Sequence, residues 1–290
     1  MAQDLQALVC EELTQPVLPQ VLAMAAAIAA LHPGARAVLF YGSCLREAQL
    51  DGLMLDFYLI VADYRAAYHA RWLGFANRLI PPNVFPFAHG GLSAKYAVLS
   101  EADFHRLCGP ETRNVSVWAR FAQPSRLVWS SNEAASERAI AAVARAAPTL
   151  LAAAEARDDE TPLDWWRRAF ALTYSAELRA ERGGRAASVV DADPDRYTRF
   201  SVPALAAIAP EKRGGARGGG WARRRIEGKA LSVLRLLKAT FTFAGGIDYL
   251  AWKVNRHAGT HIVIAPWQRR HPILAGLLLV PRLLGQGAVK

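Results

Sequence analysis

The stretch AVLFYGS (37–43), followed after nine residues by LMLDFYLIV (53–61), decides the reading of this chain. Each half is an apolar run of strand length, rich in β-branched and aromatic residues. Two buried strands of a central sheet are therefore predicted, at Ala37–Tyr41 and Leu53–Val61. The first runs into Gly42-Ser43. A glycine there has no Cβ, so the backbone can come close to an anion, and the N–H groups of a helix starting at this turn would face it. The second strand carries Asp56, a carboxylate in an otherwise apolar run, suited to hold Mg²⁺ against phosphate oxygens. The plain alternative is an ordinary strand–helix turn beside a solvated Asp, and the downstream sequence decides between them.

Working outward, 290 residues suit one large domain or two small ones, and 52% hydrophobic residues mark a folded protein. The chain has no uncharged apolar run of spanning length, so a membrane-spanning helix is not expected. The N-terminal MAQDLQALVCEEL is acidic and helical in pattern rather than a secretory leader, which predicts a cytoplasmic protein but leaves a membrane surface open to it. Cys10, Cys44 and Cys108 are too few and scattered for a disulfide framework or a zinc site. The net charge of +10 favours an anionic partner: nucleic acid, nucleotide or acidic lipid.

Residues 17–31 are helical in spacing and end at Pro33-Gly34. A helix is predicted over 64–79, with Tyr64, Tyr68, Trp72 and Phe75 as its core side. Pro81-Pro82 breaks it, and a loop containing His89-Gly90-Gly91 leads to a strand at 94–100. A helix over 101–108 and a strand over 125–131 follow. From Asn132 the pattern becomes helical, with segments over 133–156 and 163–182. The expected organisation is a sheet domain at 1–131, a helical domain at 132–210, a Gly/Arg-rich linker at 211–225 and an amphipathic region at 226–290. The linker lacks repeated aromatic interleaving, so it reads as solvated rather than RNA-binding.

In the helix predicted over 226–243, Ile226, Ala230, Leu234, Leu237 and Phe241 lie on one side, with Lys229, Ser232 and Arg235 off it and Lys238 near the border. Such a helix either lies in a membrane interface or docks on the domain as an ordinary amphipathic helix. The tail HPILAGLLLVPRLL (271–284) is too short to span a bilayer, but sets apolar surface near Arg269, Arg270 and Arg282.

YGS (41–43), MLDFYLIV (54–61), RAAYH (65–69), AKYAVLS (94–100), NVSVWARFAQPSRLVWS (114–130) and LTYSAELR (172–179), in that order, resemble the CTP-dependent phosphatidate cytidylyltransferases of the mitochondrial translocator-assembly-and-maintenance type. The resemblance runs from about Val38 to Ala209. It implies an α/β (α+β) nucleotidyltransferase fold with a mixed sheet, a helical second domain and a membrane-associated C-terminal helix. It further implies Gly42 and Ser43 at the CTP phosphates, Mg²⁺ on Asp56, and Lys95 offsetting phosphate charge. The family's Tyr-Ser-Gly-Asp-x-Arg segment stands here as Tyr174-Ser175-Ala176-Glu177-Leu178-Arg179. Glu177 is then the counterpart of a metal-site acid and Arg179 a nucleotide contact. The chain departs from the family at Ala176 and Glu177, in lacking its His-Tyr-Ser segment around 76–83, and in a shorter loop before Lys95.

Many nucleotidyltransferases carry a second acid two residues after the first, and here that position is Tyr58. Either Glu177 supplies the second carboxylate, the preferred reading, or one metal is held firmly. The expected partners are CTP, phosphatidic acid and an anionic membrane surface, with no nucleic acid. The expected place is the inner face of a membrane, bound peripherally. Two alternatives stand beside this: nucleotidyl transfer to another acceptor, and a non-catalytic membrane or RNA adaptor, which Tyr58 favours. Arg120 has two readings, a phosphate or lipid contact or an ion pair with an acid. His69 reads as a core or edge histidine, and His257 and His261 as a solvated pair. No Gly-x-Ser-x-Gly elbow surrounds Ser43, which argues against a hydrolase.

Overall fold

The computed structural model describes residues 4–46, 49–50, 52–155, 159–177, 185–208, 219–242 and 264–267. Helices α1 (Leu5–Leu13) and α2 (Pro19–Ala30) precede strand β1 (Ala35–Tyr41). After Gly42 comes a single 3₁₀ turn, Ser43–Arg46, where a full helix was expected, so little helix dipole is aimed at the turn. Strand β2 (Met54–Val61) leads to α3 (Tyr64–Ala67) and α4 (Arg71–Leu79), then strands β3 (Asn83–His89) and β4 (Leu92–Ser100). Helices α5 (Glu101–Cys108) and α6 (Trp118–Phe121) and strand β5 (Ser125–Ser130) complete the sheet region. The rest is helical: α7 (Glu133–Ala144), α8 (Ala146–Ala154), α9 (Pro162–Ala176), α10 (Arg185–Asp191), α11 (Pro194–Ala206) and α12 (Gly219–Thr242).

The fold is of the α/β class. Its five-stranded mixed sheet has the order β3-β4-β2-β1-β5, with β2 and β4 parallel and the other pairs antiparallel. Strand alternation sends Val38, Phe40, Leu55, Phe57, Leu59 and Val98 to one face, under Val21, Met24 and Ile28 of α2. The opposite face, with Ala37, Leu39, Tyr58, Ile60, Ala97 and Leu99, packs against α1 and the helices from α5 onward around Trp118, Phe121, Trp166 and Tyr197.

Several boundaries differ from the sequence reading, each for a local reason. The helix expected over 133–156 divides at Arg145, because Pro148 has no N–H to donate to Ala144 and its ring clashes with that carbonyl. The helix expected over 64–79 divides at Tyr68, whose extended backbone brings its ring against His32 and Phe85, at centroid distances of 6.2 and 6.0 Å. Trp72 and Phe75, expected in the core, are exposed. The segment read as a loop after Pro82 contains β3. It is an edge strand, where Pro86 costs no interior ladder bond, and Gly90 and Gly91 (φ +57° and +79°) form its tight turn to β4.

α12 begins at Gly219, inside the segment expected to be a linker; residues 211–218 lie outside the described residues. The helix is docked against α9 and β3. Gly228 makes the close approach possible, since a Cβ there would run into the Ala176 carbonyl oxygen. Its buried side presents Arg235 and Lys238 to the protein, whereas Ile226, Ala230 and Leu234 face outward. The side chain of Phe241 and the 271–284 tail lie outside the described residues. Among the described residues, no helix is long and apolar enough to cross a membrane.

Candidate active site

The register places Tyr41, Asp56 and Lys95 in one row across the sheet. Tyr41 of β1 is opposite Asp56 of β2, and Asp56 is opposite Lys95 of β4. By alternation this row shares its face with Tyr58, Leu39 and Ala97, the face covered by the helical layer. Lys95 Nζ stands 3.0 Å from Asp56 Oδ1, both side chains about a quarter exposed (27% and 25%). That contact lacks hydrogen-bond geometry, so Asp56 Oδ1 is buried without a hydrogen bond. Gly42 takes φ +94°, a conformation that favours glycine, and a Cβ there would stand 3.4 Å from Asp56 Oδ2. Ser43, next in the chain, is exposed.

Tyr58, two residues after Asp56, has a buried ring, and its hydroxyl accepts a 3.3 Å hydrogen bond from Arg120 Nη1. The same nitrogen donates to the Ser116 carbonyl at 3.0 Å, and the guanidinium lies over the Tyr41 ring, 5.4 Å from its centroid. Burial opposes the charge of Arg120, but Tyr58, Tyr41, Glu177 and Asp56 outweigh it and hold the guanidinium firmly protonated. Burial, then the Asp56 charge, pushes the Tyr41 hydroxyl far above its ordinary range, so it stays neutral. The row thus offers a carboxylate flanked by cations and by the neutral Tyr41 phenol.

A second arginine enters from α12. Arg235 Nε donates to the Pro81 carbonyl at 2.8 Å and Nη1 to Ser116 Oγ at 3.1 Å, while Nη2 is buried with no hydrogen-bond partner. Arg120 and Arg235 therefore meet at Ser116. Burial lowers the pKa of Arg235, Tyr58 and Glu177 raise it, and Arg120 lowers it further. Lys238, one turn on, donates to the carbonyls of Ile80 and Pro82, the latter at 2.8 Å. Burial, helped by the nearby Arg235, lowers its pKa to about 7.

Glu177 caps the C-terminus of α9 in an extended conformation, and its charge acts on Tyr41, Arg120 and Arg235. It enters the same electrostatic neighbourhood as Asp56, which also acts on Tyr41 and Arg120. The structure brings Gly42, Asp56 and Lys95 together, with Ser43 exposed at the turn after Gly42, and Glu177 acts from the helical layer. Arg179, His257 and His261 lie outside the described residues, and His69 is exposed. Arg235 was missed because it looked like an off-face cation of an interfacial helix. A legible signal was the stripe Gly228-Leu231-Arg235-Lys238, in which a glycine and two cations share one side at helical spacing.

Mg²⁺ fits this donor set. A carboxylate oxygen without a hydrogen bond, beside a turn with no Cβ, suits a hard cation that shares its shell with phosphate oxygens. Among the described residues no group of three or more His, Cys, Asp or Glu residues is placed to hold a metal, so the protein would contribute one or two carboxylates. An open cleft of about 460 Å³ beside α1 and α8 lies elsewhere; its Arg145 is already paired with Glu111. No protein-family model matches the chain, and no curated protein matches it either.

Proposed function

We propose that this chain is a Mg²⁺-dependent nucleotidyltransferase that transfers CMP from CTP to phosphatidic acid, giving CDP-diacylglycerol and pyrophosphate at an anionic membrane surface. The observation that carries the reading is the Asp56 row. A buried carboxylate oxygen without a hydrogen bond stands beside the Gly42 turn, with Lys95 in contact and the Arg120 charge within reach, and Arg235 meets Arg120 at Ser116. The motif order of the sequence supplies the choice of nucleotide and acceptor.

The reaction joins two highly anionic reactants. A phosphate oxygen of phosphatidate attacks the α-phosphorus of CTP, a P–O–P bond forms, the bond from that phosphorus to the β-phosphate bridging oxygen breaks, and pyrophosphate leaves. Bound Mg²⁺ would neutralise phosphate charge and polarise the phosphoryl centre. Asp56 would hold it, with Glu177 as second carboxylate. The Gly42-Ser43 turn gives the triphosphate room to approach the end of strand β1. Lys95 offsets negative charge from β4, while Arg120 and Arg235, locked by Tyr58, Ser116 and Pro81, hold fixed cations that need little reorganisation during the reaction.

The test incubates purified protein with CTP, Mg²⁺ and phosphatidate in mixed micelles and measures pyrophosphate and a CMP-bearing lipid. Formation of both supports the reading; CTP binding with no product from phosphatidate refutes the acceptor. One observation favours a second reading: Tyr58 seats a cation where a second acid would stand. A nucleotide-binding adaptor is the consequence, and it predicts CTP affinity without pyrophosphate release for any acceptor.

A further inference from the structure

α4 is a helix turned inside out. Its inward side is held by polar groups: buried Asn77 donates from Nδ2 to the Val98 carbonyl at 2.9 Å and accepts from the Asn83 amide, while Asn83 Nδ2 returns a 3.0 Å bond to the Leu73 carbonyl. Gly74 lies close to α3, where a Cβ would stand 3.1 Å from the Tyr64 carbonyl oxygen. The outward side carries Trp72, Phe75 and Leu79, 51%, 70% and 66% exposed. At 100° per residue these three span about 60° of the helix surface, and Arg71 and Arg78, both exposed, border that arc on one side. The hydrogen bonds fix which side faces out, so the apolar exposure is built in.

We infer that the Trp72-Phe75-Leu79 face of α4 is a membrane-docking surface whose occupant is an anionic phospholipid bilayer. Phe75 and Leu79 supply apolar area for the acyl boundary, and Trp72 an indole suited to the headgroup level. Arg71 and Arg78 meet the phosphates, in a chain of net charge +10. α12 adds a second outward apolar side, with Ile226 73% and Leu234 44% exposed. Lys238 and Arg235 tie that helix to residues 80–82, directly after α4. The same segment therefore joins the docking helix to the arginines of the candidate site. The inference deepens the proposed function and rests on it for phosphatidate as the relevant anionic lipid.

The test is co-sedimentation of the full chain with vesicles of phosphatidylcholine alone or with phosphatidate. Wild-type protein should favour the anionic vesicles. Trp72→Ser/Phe75→Ser/Leu79→Ser should lower that partitioning on the order of tenfold or more. Arg71→Gln/Arg78→Gln should lower it by less and flatten its salt dependence. Thermal melting matching wild type shows that the variants are folded. Phe75→Cys carrying an environment-sensitive fluorophore should shift to the blue on vesicles. Wild-type protein that ignores anionic vesicles, a folded triple variant that sediments like wild type, or a probe that stays in water overturns the inference and leaves a protein partner as the occupant of this face. The function is judged separately: α4-dependent vesicle binding without CMP transfer from CTP would keep the surface and sink the cytidylyltransferase reading.

Discussion

Two regions of this protein bury arginine side chains in opposite ways. At the junction of α1 and α11, Arg196 and Glu12 are both buried and form a two-pronged ion pair. Arg196 Nη2 donates to Glu12 Oε1 at 2.9 Å, Nε donates to the other carboxylate oxygen, and Nη1 reaches the Ala122 carbonyl at 3.1 Å. The Phe200 and Tyr197 rings flank it, 4.3 and 4.9 Å from the guanidinium carbon. Each buried charge there has its counter-charge within the fold. At Ser116, by contrast, two arginines converge, and one nitrogen of Arg235 is left buried without a hydrogen bond. Desolvating a cation costs several kcal/mol unless it is well partnered. The first arrangement is one that stabilises a fold. The second makes sense where an anionic ligand completes the set.

The contrast can be broken by mutation. Arg196→Ala leaves Glu12 buried without its partner, and should lower unfolding free energy by about 3–5 kcal/mol, read by urea denaturation. A loss below about 1 kcal/mol would mean that the α1–α11 junction opens to water and is no structural counterpart to the site.

Asp56→Asn keeps the side-chain shape and removes the charge beside the Gly42 turn. Under the proposed function, turnover should fall on the order of a hundredfold or more with the melting temperature nearly unchanged. Near wild-type turnover would remove Asp56 from the chemistry.

Arg235→Ala sharpens the comparison most directly. Its removal should leave stability level or slightly raised, because an incompletely partnered buried cation is gone. CTP affinity measured by calorimetry should drop about tenfold, the scale of one charge-assisted contact. Large destabilisation with unaltered CTP affinity would make Arg235 a structural residue like Arg196.

The last effect is in pH, and it is spread over several pH units. Lys238 titrates at about 7 when folded and near 10.4 when unfolded. Between those values the unfolded chain holds the extra proton, so stability rises with pH, by at most about 1.4 kcal/mol per unit. Below about 7 both states are protonated and the penalty is fully present. Lys238→Met should flatten the rise in denaturation profiles taken between pH 7 and 10; an unchanged slope would show that the ammonium is solvated.

Much of the site was legible because it lies on strands. Alternation of period two and the Gly-Ser turn locate Asp56 and Gly42 from local sequence, and Lys95 follows once β4 is recognised. β3 was hidden because Pro86 and the Pro81-Pro82 pair read as breakers, although Gly90-Gly91 between two apolar runs is a hairpin mark. The side of α12 that faces inward was not legible, because an amphipathic pattern says that two sides differ without saying what covers each. The same holds for α4, whose aromatic spacing suggested core until Asn77 and Asn83 pinned the opposite side inward.

By itself the sequence determined the α/β class, the two strands that meet at Gly42 and Asp56, the basic charge, and the absence of a run long enough to span a bilayer. These follow from composition and short periodicities, which act within a few residues. Tertiary structure alone decided that Tyr58 seats Arg120, that Arg120 and Arg235 meet at Ser116, that Glu177 comes within electrostatic reach of both, and that α4 turns its aromatic side outward. Those contacts join residues up to about 120 positions apart, Ser116 to Arg235 among them (separation 119). They are set by which surfaces pack, and by which buried polar groups must find hydrogen-bond partners, conditions that exist only once the chain has closed on itself.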